Sequence, residues 1–222
     1  MKNRKTWLSW LSIPGLMALV LFGLSGMVLA GSGSGGSQKS MGFGVEGGYV
    51  LPADDHFGGT SGIGLSFFYN LGEQFRIELK SGFLPVKAEG DPEGLSNGTL
   101  NVIPLQLSLQ YRLKLSPRWI PYLGAGVGYY LNNFSVENND IWRNLGFEIT
   151  EDVDSSFGYH AGVGFDYFFS NRMAFTVDVR YCFTKLTDTY SITEVGSGIS
   201  HNGEIEKDFN FAYFGAGLKF LF

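Results

Sequence analysis

Residues 103–114 read Ile-Pro-Leu-Gln-Leu-Ser-Leu-Gln-Tyr-Arg-Leu-Lys. Apolar side chains fall on alternate positions: Ile103, Leu105, Leu107, Leu109, Tyr111 and Leu113. Gln106, Ser108, Gln110, Arg112 and Lys114 stand between them. A period of two places successive side chains on opposite faces of an extended strand. One face is apolar over its whole length, and the other carries full charges. The length decides the environment. A strand of a soluble sandwich needs about five or six residues, whereas about ten, tilted, cross the hydrocarbon of a bilayer.

Seven more segments repeat the pattern. They centre on 41–51, 61–71, 75–83, 123–131, 159–167, 175–183 and 214–222. The connections near 71–74, 116–119 and 170–173 are short. That at 52–60 is intermediate, and those at 85–99, 133–156 and 187–208 are long. Tight periplasmic turns alternating with longer external loops fit an all-β fold: a transmembrane antiparallel up-and-down β-barrel of eight strands. Closure lets every backbone group pair, which lipid requires. An even strand count leaves both termini on the short-turn side. Tyr69, Phe75, Tyr111, Trp119, Tyr122, Tyr167, Phe169, Phe175 and Phe220 crowd that end as an interfacial ring. Tyr49, Phe83, Tyr129, Tyr159 and Phe183 supply a second ring.

Composition agrees. The chain has 32 Gly, 20 Phe and 11 Tyr, and only 17% of its residues are charged. The formal charge of −5 offers nothing basic to attract nucleic acid. Residues 1–30 open with Lys2, Arg4 and Lys5, run apolar from Trp7 to Leu29 and end at Ala30, as a cleaved signal peptide does. Pro14-Gly15, Gly23 and Gly26 argue against a retained helical anchor. No Cys follows to carry a lipid. Residues 31–40 (GSGSGGSQKS) form a flexible leader, and 41–222 the barrel domain. The single Cys182 precludes an internal disulfide.

Ten charged side chains fall on inward positions: Glu46, Arg76, Glu78, Lys80, Arg112, Lys114, Asp166, Asp178, Arg180 and Lys219. Eight strands leave a lumen just wide enough for side chains to fill, and buried charges need partners. The expectation is a paired network that plugs the interior rather than a channel. The Gly-rich runs at 124–128 and 161–164 lie inside strands and lack phosphate-loop spacing, so they make room for neighbours. His160 faces inward toward Asp178 on the following strand, as a satisfied interior histidine. No nucleophile and base are held together, and no metal-ligand or calcium-loop spacing occurs. We therefore expect no enzyme, cofactor or metal site. Most acids lie in the external loops, where they favour solubility or bridging through divalent ions to lipopolysaccharide. Pro85 ends the third strand and Pro104 opens the fourth. Neither can donate a ladder hydrogen bond, which marks either a strand end or bulge, or a weak seam.

The segment Phe214–Phe222 alternates and ends on Phe, and so resembles the C-terminal strand by which outer-membrane barrels are recognised for assembly. Ile103-Pro104 with SLQY at 108–111, PYLGAGVGYY at 121–130 and GFDYFF at 164–169 occur in the order seen in OmpW-like proteins. OmpX-like and OmpA-type barrels are similar at greater distance. The resemblance implies an outer-membrane location, surrounding lipid and lipopolysaccharide, the barrel assembly machinery as a partner through the strand ending at Phe222, and an apolar path for small hydrophobic solutes. The inward charges predict a shorter path: an outer pocket lined by Phe134, Ile141, Trp142, Leu145 and Phe147, with a sideways exit near Pro85 and Pro104. The alternative is a structural or surface-binding barrel acting through its acidic loops.

Overall fold

The computed structural model describes residues 41–89, 97–137 and 143–222. The signal peptide and leader assigned to 1–30 and 31–40 lie outside them, as do Ile141 and Trp142. Ten strands form: β1 Met41–Pro52, β2 Thr60–Leu71, β3 Phe75–Ala88, β4 Gly98–Arg112, β5 Trp119–Val136, β6 Phe147–Val153, β7 Ser156–Phe168, β8 Met173–Glu194, β9 Ser200–Asp208 and β10 Phe211–Leu221. Eight close into a ring in the order β1, β2, β3, β4, β5, β7, β8, β10, all neighbours antiparallel. The last join runs from Gly42 opposite Leu221 to Pro52 opposite Phe211, so the first and last strands leave no edge in the lipid.

The apolar face points outward as the alternation requires. Phe43, Val45, Leu65, Leu79, Leu107, Leu109, Val127, Val163 and Leu218 are all exposed, which in lipid places them in hydrocarbon. Inward glycines receive aromatic rings from neighbouring positions. A Cβ on Gly48 would stand 2.4 Å from the Tyr213 ring, and one on Gly164 would stand 2.4 Å from the Tyr122 hydroxyl. Tyr122 is thus an inward side chain, buried to 4% exposure, and not part of the interfacial ring. Of the outer ring, Tyr159 stacks on Phe183 with centroids 4.7 Å apart.

The short turns are fixed locally. Gly72 takes a φ of +72° between β2 and β3, a conformation that favours glycine. Ser116 Oγ accepts from the backbone N–H of Trp119 at 3.0 Å, and Ser170 Oγ accepts from that of Met173 at 3.0 Å. The same hydroxyl device closes both turns. Met41 and Phe222 share this end, where the Phe222 N–H donates to the Met41 carbonyl at 3.0 Å.

The far end departs from expectation. Strand β3 does not stop at Pro85 but continues to Ala88, and β4 begins at Gly98, six residues before Pro104. The segments 133–156 and 187–208 are not plain loops. Strand β8 runs 22 residues. Above the ring, β6 takes the place of β7 beside it, from Val153 opposite Asp188 to Phe147 opposite Glu194. On its other side β9 takes the place of β10, from Lys185 opposite Asp208 to Thr193 opposite Ser200. This three-stranded sheet lacks the lipid signature because neither face needs to be apolar outside the membrane. Its β-branched Thr187, Thr189, Ile192 and Thr193 still favour strand.

The topology sets a labelling outcome. A cysteine replacing Ser197, between β8 and β9, should react with an impermeant thiol reagent on intact cells. One replacing Arg172 should react only after the outer membrane is opened, and wild-type Cys182, fully buried, should stay silent. The reverse pattern would invert the orientation.

Candidate functional site

The interior has two tiers. Along β3 the inward residues are Arg76, Glu78, Lys80, Gly82, Leu84, Val86 and Ala88. Along β4, read from the same end, they are Arg112, Gln110, Ser108, Gln106, Pro104, Val102 and Leu100. Both strands change from polar to apolar at one level, between Lys80 and Leu84 and between Gln106 and Val102. On β8 the change falls at Cys182, which follows Asp178 and Arg180.

The lower tier is an ion-pair network. Arg76 Nη1 meets Asp166 Oδ2 at 2.7 Å, and Lys219 Nζ meets Asp166 Oδ1 at 3.0 Å. Arg180 binds Glu78 and Asp178. Lys80 Nζ lies 3.0 Å from Asp178 Oδ2 and also pairs with Glu46. The Tyr122 hydroxyl donates to Asp178 Oδ1 at 3.2 Å, and the Tyr213 hydroxyl to Glu46. Rings complete the packing: Lys80 Nζ sits 4.3 Å from the Tyr213 centroid, and the Arg76 guanidinium 4.4 Å from that of Phe68. Arg112 and Arg76 both donate to Asn70 Oδ1, at 3.1 and 2.9 Å. All these charges are buried, so each depends on its partners. The expected interior network thus comes together except at one residue. Lys114 lies beyond the end of β4, exposed, 3.0 Å from Glu73. His160 is inward but does not meet Asp178 in a hydrogen bond: its Nε2 lies 2.8 Å from Ser108 Oγ, across Gly126.

The upper tier is a hydrocarbon core inside the barrel. Val50, Leu84, Val86, Leu100, Val102, Tyr130, Phe134, Leu186, Phe209 and Phe211 form one buried cluster. Phe57, from the β1–β2 connection, joins it with its ring 4.9 Å from that of Phe209. Of the residues read as an entrance, Phe134 belongs to this core, while Leu145 and Phe147 are exposed further out.

The wall is interrupted at the boundary between the tiers. The β3–β4 ladder runs from Phe75 opposite Tyr111 to Ser81 opposite Leu105, lapses over Gly82 and Phe83, and resumes in the same register at Leu84 opposite Val102. Unbroken register means a gap rather than a bulge. Each strand is held from its other side, Gly82 and Phe83 by Gly64 and Ile63, Ile103 and Pro104 by Leu131 and Tyr130. Pro104, inward and buried, has no N–H to offer Gly82. Pro85 sits outside the gap, paired with Asn101. A cavity of about 20 Å³ occupies the seam, lined by Lys80, Gln106 and Tyr213 below, Leu84 and Phe211 above, and Gly82, Pro104 and Ile63 in the wall. That volume holds a water molecule and no more. Among the described residues, no group of three or more His, Cys, Asp or Glu is arranged to hold a metal ion.

A closed ring of eight bilayer-length strands, apolar outside and filled inside, defines an integral outer-membrane barrel. The family model for the outer membrane protein beta-barrel domain matches residues 16–222. The chain belongs to this family and resides in the outer membrane. A comparison with curated proteins finds no significant match. Among solved structures, the chain is similar to the outer membrane protein OprG from Pseudomonas aeruginosa, at 19% identity and a TM-score of 0.63, covering 83% of this chain and 97% of that one. It is similar also to Neisserial surface protein A, at 14% identity and a TM-score of 0.55, covering 85% and 100%. The outer membrane protein AlkL, solved in lipid bilayers, follows at 16% identity and a TM-score of 0.54, covering 86% and 93%. These likenesses concern the fold. They agree with the expected small eight-stranded barrel.

Two outcomes follow for the lower tier. Replacing Glu78 by Leu leaves Arg180 to Asp178 and Lys219 to Asp166 alone, with one buried positive charge uncompensated, and should lower stability against urea in vesicles by about 3–5 kcal/mol. Replacing exposed Lys114 by Leu should change it by less than about 1 kcal/mol. Purified wild-type protein in planar bilayers should show no steady single-channel conductance, and large stable steps would contradict a filled lumen.

Proposed function

We propose that this barrel passes small apolar molecules sideways into the outer membrane. A solute enters from outside, occupies the upper tier and leaves through the β3–β4 seam. The carrying observation is a coincidence of level. The gap opens at the floor of the apolar tier and directly above the charged one. A solute travelling down through hydrocarbon-like surroundings meets desolvated charges at Lys80 and Arg180, which it cannot satisfy. Beside it the wall lacks the ladder bond that Pro104 cannot donate to Gly82. The seam cavity is too small for a solute at rest, so passage requires the strands to part and the rings of Phe57 and Phe209 to swing aside. Phe57 belongs to a connection rather than a long strand and is the side chain suited to that movement. Phe134 lines the path, with Leu145 and Phe147 further out at its entrance. The role is passage rather than catalysis.

Two partners complete the reading. The strand ending at Phe222 engages the barrel assembly machinery, and the acidic outer rim faces lipopolysaccharide.

Locking the seam tests the passage. Phe83 and Ile103 stand opposite one another in the uninterrupted register. Cysteines replacing both should form a disulfide across the gap and reduce uptake of a radiolabelled hydrocarbon to that of cells lacking the protein. A reductant should restore it. Replacing Pro104 by Thr, which returns an N–H to the ladder, should lower uptake in the same direction. Uptake unchanged by a fully formed disulfide would refute the lateral route.

A further inference from the structure

We propose that Asp188 is a ligand-binding carboxylate in the β6–β8–β9 sheet at the upper end of the apolar tier, and that it receives the cationic head of an apolar amine, an alkyl- or cycloalkylammonium ion. This inference rests on the passage reading above and adds the substrate class. Asp188 continues the inward series of β8, two residues beyond Leu186. It is buried to 4% exposure, yet neither carboxylate oxygen has a hydrogen-bond partner. Its cross-strand neighbours are Val153 on β6 and Ile205 on β9. Val153 and Leu186 belong to the apolar cluster that fills the upper tier. A ligand whose head lies on Asp188 therefore has its apolar body against the surface that leads to the seam.

The electrostatics select the sign of the head group. Glu151 shares the Asp188 face from β6 and Lys207 shares it from β9, while Asp152, next to Val153 on the opposite face of β6, acts on it only through its charge. Burial, followed by Glu151 and Asp152, pushes the Asp188 carboxyl up to about 6, against the opposing pull of Lys207. At neutral pH the group is still ionised. Its raised pKa means that folding favours the protonated form, so the stability it contributes falls as pH rises from the ordinary carboxylate range through about 6. An aspartate kept only for the fold would be paired, and Asn or Leu would serve the wall better. An ammonium ion supplies N–H donors and one positive charge in the medium where such a bond is strongest. A divalent cation needs several oxygen ligands, and among the described residues no group of three or more His, Cys, Asp or Glu is arranged to hold one.

The test uses the protein in lipid nanodiscs, with 1-adamantylammonium and neutral 1-methyladamantane as probes of nearly equal shape. Amide shifts of β6, β8 and β9 report binding. Wild type should bind the ammonium about tenfold tighter than the hydrocarbon, as expected for a charge-assisted hydrogen bond. Asp188→Asn should remove that preference and leave hydrocarbon binding in place. Acidifying wild type well below the Asp188 pKa should do the same, which provides the answer without a variant. Equal binding of both probes to wild type, or a preference that survives both Asp188→Asn and acid, would overturn the assignment while the hydrocarbon still binds. Failure of the passage reading looks different: the hydrocarbon then shifts no amide of β6, β8 or β9, and a locked seam leaves its uptake unchanged.

Discussion

Every backbone N–H and C=O at membrane depth must find a partner within the protein, because hydrocarbon provides none. Closure of β10 onto β1 meets that demand around the ring, and the remaining features follow from it. A ring of eight is narrow, so its lumen must be filled by side chains. Inward glycines on β5, β7 and β10 let Tyr122, Tyr130 and Tyr213 lie flat against the wall. Large rings and long charged chains then fit in one cross-section. The outward face needs only greasiness, and Leu, Val and Phe supply it.

Filling the lumen with charge is expensive unless the charges pair. The lower tier meets this by sharing. Asp166 serves Arg76 and Lys219, Asp178 serves Lys80 and Arg180, and Glu78 serves Arg180 and Lys219. These links join β3, β7, β8 and β10, so the network ties strands far apart in sequence and on different sides of the ring. A network of this kind resists dilation of the lower barrel. In the apolar tier the directional bonds are few, such as that of Gln106 to the Tyr130 hydroxyl, and dispersion contacts among side chains such as Leu84, Val102 and Phe211 are individually small and readily exchanged. Stiffness below and exchangeability above are consequences of composition, written into alternate positions of the same strands.

The alternation made the eight lipid-crossing segments legible from the sequence, and with them the inward set from Glu46 to Lys219. Lys114 was misplaced because the repeat continues one turn of alternation beyond the last ladder pair of β4, at Arg112 opposite Tyr122. Tyr122 was misplaced because its residue type suits the interface, whereas its even position on β5 puts it inside. The apolar tier was hidden for a deeper reason. Once β3 and β4 rise beyond the bilayer's reach, both faces of the strand are mixed, as in Leu84-Pro85-Val86-Lys87-Ala88, and a pattern tuned to lipid reads a loop. The prolines reinforced that reading, yet Pro85 sits comfortably within a ladder whose register never shifts. Segment 185–194, Lys-Leu-Thr-Asp-Thr-Tyr-Ser-Ile-Thr-Glu, shows the same effect. Its β-branched residues mark strand, but Asp188 at an inward position broke the apolar alternation that would have announced it.

On the proposed lateral route, the seam gains its meaning from where it lies. A proline one level lower would open the wall beside Lys80 and Arg180, exposing paired charges to hydrocarbon at a cost of several kcal/mol. One level higher, beside Val86 and Leu100, it would open above the membrane's apolar reach and lead nowhere a lipid-soluble molecule needs to go. At Pro104 and Gly82 the gap meets Leu84 and Phe211 of the apolar tier above, Lys80 and Gln106 below, and Ile63 in the wall. On the proposed route, parting the strands along the upper side of the gap would exchange one apolar surface for another, and the transient loss of contact would be recovered from lipid or from the guest itself. Unbroken register on both sides of the gap lets the strands rejoin without sliding, and the ion pairs below hold β3 in place while they do. The same ladder that lipid makes obligatory can therefore be left incomplete at one level, where the interior tier and the bilayer are chemically alike.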